Sequence, residues 1–305
     1  MKYMISQTTI GIITILYNSD EVLRGFMKSV ANQSYKNIKI YFIDNSPNSE
    51  THYLLSKLLR EYHLDNKSTY KSNIENIGFA KANNYGIKLA IDDGCEYVIL
   101  ANNDIEFYEK DFFSNLIQNV SQSPIITPKI LYKTPYNLIW YAGGYINSFT
   151  GLAKMYGHKQ KDSKRYSKNY LTDFAPACFL FVKSSVFLEV GLFDENFFVY
   201  FEDADWCLRC NKLGLRVLVM GSECVYHKVS HSSGGKHSPV YVRLMSEGRL
   251  YFIYKNFKGL SYLTAMSLAI IITLVRLLFY SRIKRSAVVK GTIVSAKKIF
   301  FRNVS

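Results

Sequence analysis

Three acidic residues stand within four positions, at Glu202, Asp203 and Asp205, and a helix-forming stretch at 206–209 follows them. Acids at a helix N-terminus are ordinary caps that complement the helix dipole, which explains one or two of them. A third acid directly after the aromatic run 197–201 adds like-charge repulsion. Paired carboxylates in an apolar setting are an arrangement that tunes a general base. The cluster therefore indicates either a capped helix or an acid–base site.

Two further aspartates follow apolar runs that are typical of strands. Asp104 comes after residues 97–101 and two asparagines, and Asp44 comes after residues 38–43. Asp104 could hold a divalent cation that bridges a diphosphate, because hard oxygen ligands suit Mg²⁺ or Mn²⁺. Asp44 could accept a hydrogen bond from the base of a nucleotide. The alternatives are a helix cap for Asp104 and a turn residue for Asp44.

His227 ends the predicted strand 217–226 and precedes a small, polar, glycine-rich segment that contains Lys236. A single histidine is more often structural than a ligand, so its sequence position alone leaves both roles open. A segment such as 230–237 could close over phosphates when a donor binds, or it could be an ordinary loop.

The elements that position these residues alternate between strands and helices. Residues 10–16 form a continuous apolar run, which predicts a strand buried on both faces. Further strands are expected at 38–43 and 97–101, and helices are expected after residue 20, at 50–62 and at 79–91. This alternation predicts an α/β domain with a mostly parallel sheet, in which ligands bind outside the carboxyl ends of the strands. Asp44 and Asp104 both follow such ends.

The chain divides by composition into three parts. Residues 1–123 carry the strand–helix alternation, and residues 124–247 carry glycine-punctuated aromatic segments. The stretch 124–170 reads as hairpins and loops over the sheet, which is a usual place for an acceptor site. We therefore expect a catalytic domain at 1–247, with a donor half and an acceptor half, and a separate tail at 248–305.

Most of the net charge of +14 belongs to the tail, which contains eleven Lys or Arg residues and no Asp or Glu, so residues 1–247 have a net charge of +3. A hydrophobic fraction of 48% excludes a disordered chain, and five cysteines do not form a disulfide framework. Cys207 and Cys210 are expected to be a packed, reduced pair. The apolar run 10–16 is too short for a signal peptide, so we expect the main domain on the cytoplasmic side.

The apolar and basic composition of the tail predicts that the protein attaches to a membrane. Residues 260–280 are mostly apolar and long enough to span, but Arg276 interrupts them and both flanks are basic. Beyond them, one helical face carries apolar side chains, as in an interfacial helix: Val289, Ile293, Ala296 and Phe300. A monotopic helix is favoured over a spanning one, since Arg276 is costly at bilayer depth. The alternative is a C-terminal helix packed on the domain.

Together these segments resemble family 2 glycosyltransferases, especially their bacterial rhamnosyltransferase-like branch. The resemblance runs from about residue 10 to residue 227. It rests on the Asn-x-Gly-Phe-Ala segment 76–80, on residues 102–104 at the place of the DxD metal motif, and on the aromatic-Ala-Gly-Gly segment 141–144. The most specific match is 191–209, which contains the Glu202-Asp203 pair. One departure is Asn102, which stands at the first position of the DxD motif.

The resemblance implies a GT-A fold with a Rossmann-like nucleotide-binding sheet and an inverting transfer with Asp203 as catalytic base. It implies a divalent cation, Mg²⁺ or Mn²⁺, held by Asp104 and His227. Residues that map to the donor-nucleotide site are Tyr17, Asn18, Asp44, Asn76, Gly78, Lys81 and Asn103. Residues that map to the acceptor or sugar site are Gly143, Gly144, Glu202, Asp205, Trp206 and Arg209.

The expected substrates are a nucleotide diphosphate sugar, with dTDP-rhamnose favoured and UDP-hexoses next, and a saccharide or lipid-linked saccharide acceptor. The expected setting is cell-surface polysaccharide synthesis at the cytoplasmic face of the membrane. One alternative is a nucleotidyltransferase acting on sugar phosphates, but residues 17–21 are polar and acidic where such an enzyme carries a glycine-rich basic loop. The other is a nucleic-acid-binding protein. The basic residues adjoin an apolar segment, which favours a membrane surface and no nucleic acid.

Overall fold

The computed structural model describes residues 8–229 and 238–301, so the segment 230–237 with Lys236 lies outside the described residues. The strands are β1 (Ile10–Leu16), β2 (Ile38–Asp44), β3 (Ser68–Ser72), β4 (Tyr97–Ala101), β5 (Ile105–Glu106), β6 (Ile125–Tyr132), β7 (Ile139–Tyr141), β8 (Gly144–Asn147), β9 (Leu152–Met155), β10 (Tyr170–Thr172), β11 (Phe179–Lys183) and β12 (Val217–His227). The α-helices are α1 (Asp20–Ala31), α2 (Glu50–Glu61), α3 (Phe79–Asp92), α4 (Phe112–Gln118), α5 (Ser184–Val190), α6 (Glu202–Lys212), α7 (Pro239–Asn256), α8 (Gly259–Phe279) and α9 (Arg282–Phe301).

A single large sheet runs through the described part of the chain in the order β10-β12-β6-β11-β4-β1-β2-β3. Strands β4, β1, β2 and β3 are parallel, whereas β11 is antiparallel to both β4 and β6. The chain moves outward from β1 to β3 and then returns to place β4 on the other side of β1. Because such crossovers are right-handed, α1 and α2 lie on one face of the sheet and α3 on the other. This is the α/β architecture expected from the sequence, and its strand order changes direction between β1 and β4.

The core explains why these elements form where they do. In β1 the side chains of Ile10, Ile12, Ile13 and Leu16 are fully buried, as a strand covered on both faces requires. Helix α1 buries Val22, Leu23, Phe26, Met27 and Val30 and exposes its charged side chains. All five cysteines are free, and Cys207 and Cys210 are fully buried, so the expected packed, reduced pair is confirmed.

Strand β6 contradicts the expectation of hairpins and loops throughout 124–170. It lies inside the sheet, parallel to β12 and antiparallel to β11. Pro128 argues against a strand in the sequence, because proline has no backbone N–H to donate to a neighbouring strand. The partner strand adapts: the register shifts between Met220 and Cys224, opposite Pro128 and Lys129. Such a bulge is a usual way to accommodate a proline within a sheet.

Helix α7 crosses the boundary expected at 247/248. Its residues Tyr251, Phe252 and Ile253 are fully buried in the main core. Helix α9 packs against it, and Ser295 Oγ accepts a hydrogen bond from the Tyr251 backbone N–H at 3.0 Å. Gly291 makes this approach possible, since a Cβ there would lie 2.3 Å from the Arg243 carbonyl oxygen. The packing therefore joins α7 and α9 to the α/β domain.

Helix α8 differs from its neighbours because most of it faces outward. It is 21 residues long, has a mean hydropathy of 2.1, and is the one helix in 8–229 and 238–301 that is long and apolar enough to cross a membrane. Only Ala265 and Ala269 are buried. Its exposed apolar side chains are Leu260, Leu263, Ile270, Ile271, Leu274, Val275, Leu278 and Phe279. On α9, Val289, Ile293 and Phe300 of the expected interfacial face are exposed as well.

Candidate active site

The carboxyl ends of β1, β2 and β4 meet at one edge of the sheet and bring three predicted donor residues together. The Asn103 side chain donates to the Ile15 carbonyl at 3.1 Å and to Ser19 Oγ at 2.5 Å, which ties the end of β4 to the loop after β1. Tyr17 and Asn18 form that loop, and the Asn18 N–H donates to Ser46 Oγ beyond β2. This edge adjoins the position where the strand order changes direction, which is where α/β sheets bind ligands.

Asp44 is buried at the end of β2, with both carboxylate oxygens engaged. Its Oδ1 accepts from the Ser46 backbone N–H at 2.8 Å, and its Oδ2 accepts from the Tyr70 hydroxyl at 2.9 Å. Burial, together with this hydrogen bond, raises the pKa of Tyr70 to about 12. A base N–H that reached Asp44 would share these oxygens. Tyr70 was missed in the sequence because β3 is short and mostly polar, without the apolar run that marks the other parallel strands.

The Asn76–Gly78 turn connects the donor edge to the stretch before the acid pair. Asn76 Oδ1 accepts from the Gly78 N–H at 3.0 Å and from the Asn45 side chain at 3.2 Å. Gly78 has a φ of +87°, and a Cβ there would lie 2.6 Å from the Phe198 carbonyl oxygen. The next residue donates its N–H to that same oxygen. Only glycine fits this close contact.

A second connection between the same two segments runs through α3. Asn84 accepts a hydrogen bond from the Phe193 N–H and donates one to the Phe193 carbonyl, each at 2.9 Å. The two segments that carry most of the family resemblance are therefore hydrogen-bonded to each other. Lys81 lies in the first turn of the same helix and is exposed.

Asp203 lies in the first turn of α6 and is partly exposed. Its Oδ2 accepts from the Ala177 N–H at 3.3 Å, and its Oδ1 accepts from the Ala204 N–H at 2.7 Å. Burial raises the pKa of this carboxyl to about 6, although the backbone donors oppose the rise. The two residues before α6, Tyr200 and Phe201, have φ values of +70° and +72°. Such strained backbone persists only where the surrounding structure holds it, and it is frequent at functional sites.

Glu202 behaves differently from its neighbour. Its side chain is 4% exposed, and Oε2 has no hydrogen-bond partner among the described residues. Burial, followed by repulsion from Asp203, raises the pKa of Glu202 well above its ordinary range. The pair therefore divides into a neutral Glu202 and an Asp203 that ionises near neutral pH. A carboxylate that is ionised at working pH and partly exposed can accept a proton from a bound hydroxyl.

The two expected metal ligands are neighbours. His227, at the end of β12, places Nε2 3.2 Å from Asp104 Oδ1, and both side chains are buried. The other imidazole nitrogen, Nδ1, is buried without a hydrogen-bond partner among the described residues. An imidazole beside a carboxylate fits Mn²⁺ or Mg²⁺, with diphosphate or water oxygens as further ligands. In the described ranges no third His, Cys, Asp or Glu joins them.

Cys178 links this pair to Asp203. The thiol is buried immediately before β11, and its backbone carbonyl accepts from the Asn102 N–H at 2.9 Å. Burial raises the pKa of the thiol, and Asp104 and Asp203 raise it further, because both carboxylates lie close to it. The candidate ligand and the candidate base therefore flank one buried side chain.

Gly143 and Gly144 serve the backbone of the hairpin region. Gly143 has a φ of +86°, and the Gly144 N–H donates to Thr172 Oγ1 at 2.7 Å. A Cβ on Gly144 would lie 2.4 Å from the Lys154 carbonyl oxygen, where β8 and β9 pair. This backbone geometry explains why glycine is required at positions 143 and 144.

Three residues expected at the acceptor site have contacts inside the domain instead. Trp206 is fully buried and donates from Nε1 to the Gly191 carbonyl at 2.9 Å. Arg209 donates to the Val190 and Leu192 carbonyls and pairs with the fully buried Asp205. These contacts hold α6 against the end of α5. Their spacing puts these residues on the same face of α6 as Glu202, and their expected place at the acceptor site stays a prediction.

Asp205 also ties α6 to α7. Lys255 Nζ lies 2.8 Å from the Asp205 carboxylate and 2.7 Å from Asp194 Oδ2. Asn256 donates to Asp205 as well, at 3.0 Å. The pKa of Asp194 is lowered to about 2: burial opposes ionisation, and the hydrogen bond from Lys255 is the largest favourable contribution. A buried ion cluster therefore fixes the helix that carries Asp203.

Comparison with known proteins agrees with this geometry. The low-salt glycan biosynthesis hexosyltransferase Agl10 of Haloferax volcanii is 25% identical over 213 residues, which are 68% of this chain and 63% of the relative. The chain thus spans less than two thirds of that relative. The mannosyltransferase PcManGT of Pyrobaculum calidifontis, solved with GDP-Man and Mn²⁺, superimposes with a TM-score of 0.59 at 13% identity, covering 97% of this chain and 89% of the other.

A second solved structure, GalNAc-T7 with UDP, GalNAc and Mn²⁺, has a TM-score of 0.59 at 15% identity and covers 90% of this chain and 58% of the other. These likenesses show the fold, which is of the GT-A type expected from the sequence. The sequence model described as "Glycosyl transferase family 2" matches residues 11–187, more than half of the chain, and this range contains Asp44 and Asp104. The chain therefore belongs to glycosyl transferase family 2.

Proposed function

We propose that this chain transfers a sugar from a nucleotide diphosphate sugar to an acceptor hydroxyl, with inversion at the anomeric carbon. The observation that carries the proposal is the short run of contacts between the two carboxylates: Asp203 Oδ2 accepts from the Ala177 N–H, and the carbonyl of the next residue, Cys178, accepts from the N–H of Asn102, two residues before Asp104. This arrangement puts the candidate base beside the candidate diphosphate site, as a single displacement requires. Family membership and the hexosyltransferase relative support the same reaction class.

In the proposed reaction Asp203 accepts the proton of the acceptor hydroxyl. The oxygen forms a bond to the anomeric carbon while the bond from that carbon to the diphosphate breaks on the opposite face. General-base assistance of this kind is typically worth about 10²–10⁴ in rate. Glu202 is neutral, so no second negative charge lies beside Asp203. No covalent sugar–enzyme intermediate is required.

The donor is proposed to lie at the carboxyl ends of β1, β2 and β4. Asp44 would accept from the base, and Tyr17, Asn18, Asn76, Gly78, Lys81 and Asn103 would surround the nucleotide. Similar folds bind UDP or GDP-Man, as those structures record. For this chain we propose dTDP-rhamnose first and UDP-hexoses next, on the basis of the branch resemblance.

Asp104 and His227 would hold a divalent cation, Mn²⁺ or Mg²⁺. The fit rests on the 3.2 Å contact that places His227 Nε2 beside the Asp104 carboxylate. Bound there, the cation would supply electrostatic stabilisation to the negative charge that develops on the departing diphosphate. The two structural neighbours described above contain Mn²⁺, which supports this assignment.

The acceptor is proposed to be a saccharide or lipid-linked saccharide at the cytoplasmic face of the membrane, in cell-surface polysaccharide synthesis. The exposed apolar side chains of α8 and α9 support this location, because a surface of that extent is usual for a membrane-contacting site. The basic residues of 248–305 would add attraction to anionic lipid. Since α7 packs into the core, attachment through α8 holds the active site close to the membrane.

A panel of nucleotide sugars tests the proposal. Purified full-length protein in detergent is offered each sugar, with and without Mn²⁺, and two quantities are measured: donor hydrolysis and protection from thermal unfolding. We expect one nucleotide class to protect the protein and to be hydrolysed slowly without acceptor. Consumption of a nucleoside triphosphate with a sugar phosphate, and no response to any nucleotide sugar, would instead identify a nucleotidyltransferase.

A further inference from the structure

Arg249 is a buried cation that the proposed reaction does not use. It lies on α7 and is 7% exposed, yet Nε and Nη2 have no hydrogen-bond partner among the described residues. Burial lowers the pKa of this guanidinium, and the nearby charge of Arg276 lowers it further. Buried charges are normally paired, because an unpaired one is costly. The side chain is therefore arranged for an anion from outside the chain.

A second arginine, Arg276, lies on the neighbouring helix α8. It is the cation that interrupts α8, it is half-buried, and in the described residues no Asp or Glu pairs with it or with Arg249. Two guanidinium groups close together repel each other. A cation within an apolar membrane helix is also costly unless it has a partner. One bound anion would relieve both costs.

The helix that carries Arg249 packs against the turn before the acid pair. Gly248, the residue before Arg249, lies so close to the strained turn that a Cβ there would come within 2.6 Å of the Phe201 ring. The rings of Tyr200 and Tyr241 meet edge to face with centroids 5.4 Å apart. Burial raises the pKa of Tyr241, and nearby Arg276 opposes the rise. Gly248 and Tyr241 therefore contact residues 200–201, which lead directly into Glu202 and Asp203. Arg249 follows Gly248 in the chain, and Arg276 lies near Tyr241.

We propose that Arg249 and Arg276 bind the phosphate group of an amphiphilic acceptor, a lipid phosphate or diphosphate, whose hydrocarbon chain lies along the exposed apolar face of α8. This inference rests on the proposed glycosyl transfer and specifies its acceptor class. Guanidinium groups suit the ligand, since their N–H groups bind phosphate oxygens in pairs. The apolar face supplies the matching surface for the chain.

The headgroup of a bulk phospholipid shares this chemistry and is the other source of such a phosphate. The position of the pair favours the acceptor. Arg282, Lys290 and Lys297 are exposed on α9, where the headgroups of a bilayer could meet them. Arg249 is enclosed and lies on the helix that packs against residues 200–201, where a phosphate would hold the acceptor's reacting end towards Asp203.

The test uses full-length protein in neutral detergent. A long-chain alkyl phosphate is compared with the corresponding alkyl alcohol, and phosphatidylglycerol micelles form the third arm. Thermal unfolding and competition with acceptor are measured. We expect the alkyl phosphate to raise the unfolding temperature and to compete, and the alcohol to do neither. Equal effects from phosphatidylglycerol would overturn the assignment to the acceptor.

Substitutions identify the residues. Arg249→Met and Arg276→Met should each weaken alkyl phosphate binding by about tenfold to a hundredfold, as expected for loss of a charge-assisted hydrogen bond. Arg243→Met, an exposed change on the same helix, should leave binding unchanged, and Arg249→Lys should retain part of it. Nucleotide-sugar hydrolysis should persist in all four variants, which separates this inference from the proposed function.

Stability distinguishes a ligand-binding arginine from a structural one. Because Nε and Nη2 of Arg249 are buried without a hydrogen-bond partner in the part of the chain that the structure describes, Arg249→Met should leave the unfolding temperature unchanged or higher in the absence of ligand. A lower unfolding temperature, or unchanged alkyl phosphate binding in both methionine variants, would overturn the proposal.

Discussion

The imidazole Nε2 of His227 lies 3.2 Å from the Oδ1 of Asp104, at the point where the end of β12 pairs with β5. The contact is set by the sheet: His227 is registered opposite Ile105, the residue after Asp104. Two side chains that are far apart in the sequence therefore form one potential cation site. The same edge carries Cys178 and, beyond it, Asp203.

The first prediction concerns this cation site. Asp104→Ala should reduce transfer on the order of a hundredfold or more, because charge stabilisation of the departing diphosphate is lost. Chelation of wild-type protein should have the same effect, and chelation should add little to the variant. Asp92→Ala, an exposed change on α3, is the control. Full transfer in excess chelator, with metal-free protein confirmed by elemental analysis, would exclude a role for the cation.

The second prediction concerns pH. If Asp203 is the base, kcat/KM should rise about tenfold for each pH unit below about 6 and level off above it, since the ionised form accepts the proton. Glu202 is already neutral in that range, so Glu202→Gln should leave the midpoint of this pH dependence nearly unchanged. A midpoint that falls by a pH unit or more in this variant would show that Glu202 is ionised beside Asp203.

The third prediction concerns the ion cluster formed by Lys255, Asp194 and Asp205. Lys255→Met leaves the partly buried carboxylate of Asp194 and the fully buried carboxylate of Asp205 without their shared cation. Removing one partner of a buried pair typically costs about 3–5 kcal/mol, and we expect a loss of that size in the free energy of unfolding. Lys258→Met, which changes an exposed lysine nearby, should lose little. Urea unfolding in detergent compares the two variants.

Acid unfolding gives an independent check on that cluster. The lowered pKa of Asp194 means that its ionisation stabilises the fold above the pKa of the unfolded chain. This stability is lost as the pH falls towards about 2. Without Lys255 the pKa of Asp194 should rise towards that of the unfolded chain, so Lys255→Met should lose less stability than wild type as the pH falls towards about 2. Identical acid-unfolding profiles would contradict the assigned contact.

The fourth prediction concerns membrane attachment. Replacing the exposed Leu263, Ile271 and Leu278 of α8 with glutamine should release the protein from liposomes and make it soluble without detergent, while nucleotide-sugar binding is retained. The control is Leu188→Gln, which changes an exposed leucine on α5. Flotation with liposomes measures both. If wild-type protein stays in the soluble fraction at low salt and ignores anionic liposomes, attachment through α8 is excluded.

Much of the donor half could be predicted from local sequence. Strands β1 and β4 begin and end where their apolar runs do, because a doubly buried strand must be apolar throughout. Helix α3 was also expected nearly to its bounds. Strand β6 was not expected, because Pro128 argues against a strand and the compensating bulge lies far away in β12. Long-range compensation leaves no local signal.

The site shows the same division between local and long-range information. Asp203, Asp104 and His227 were noted for their types and their places at element ends, and the family resemblance gave them their expected roles. In the structure Asp104 contacts His227, and both aspartates lie near Cys178. Tyr70 and the roles of Lys255 and Arg249 depend on tertiary neighbours and could not be seen in the sequence. The tail boundary at 247/248 was placed by charge, whereas α7 continues through it because Tyr251 and its neighbours belong to the core.

The most direct test of the account is Asp203→Asn in a single-turnover transfer assay with donor binding measured in parallel. The folded-state pKa of Asp203 is raised, so its ionisation weakens the fold as the pH rises through about 6. The variant should therefore be at least as stable as wild type at pH 8, and a loss of activity could not be ascribed to unfolding. We expect transfer to fall by about 10²–10⁴ or more while the donor Kd stays within a few fold. Near-normal turnover by Asp203→Asn would contradict the account.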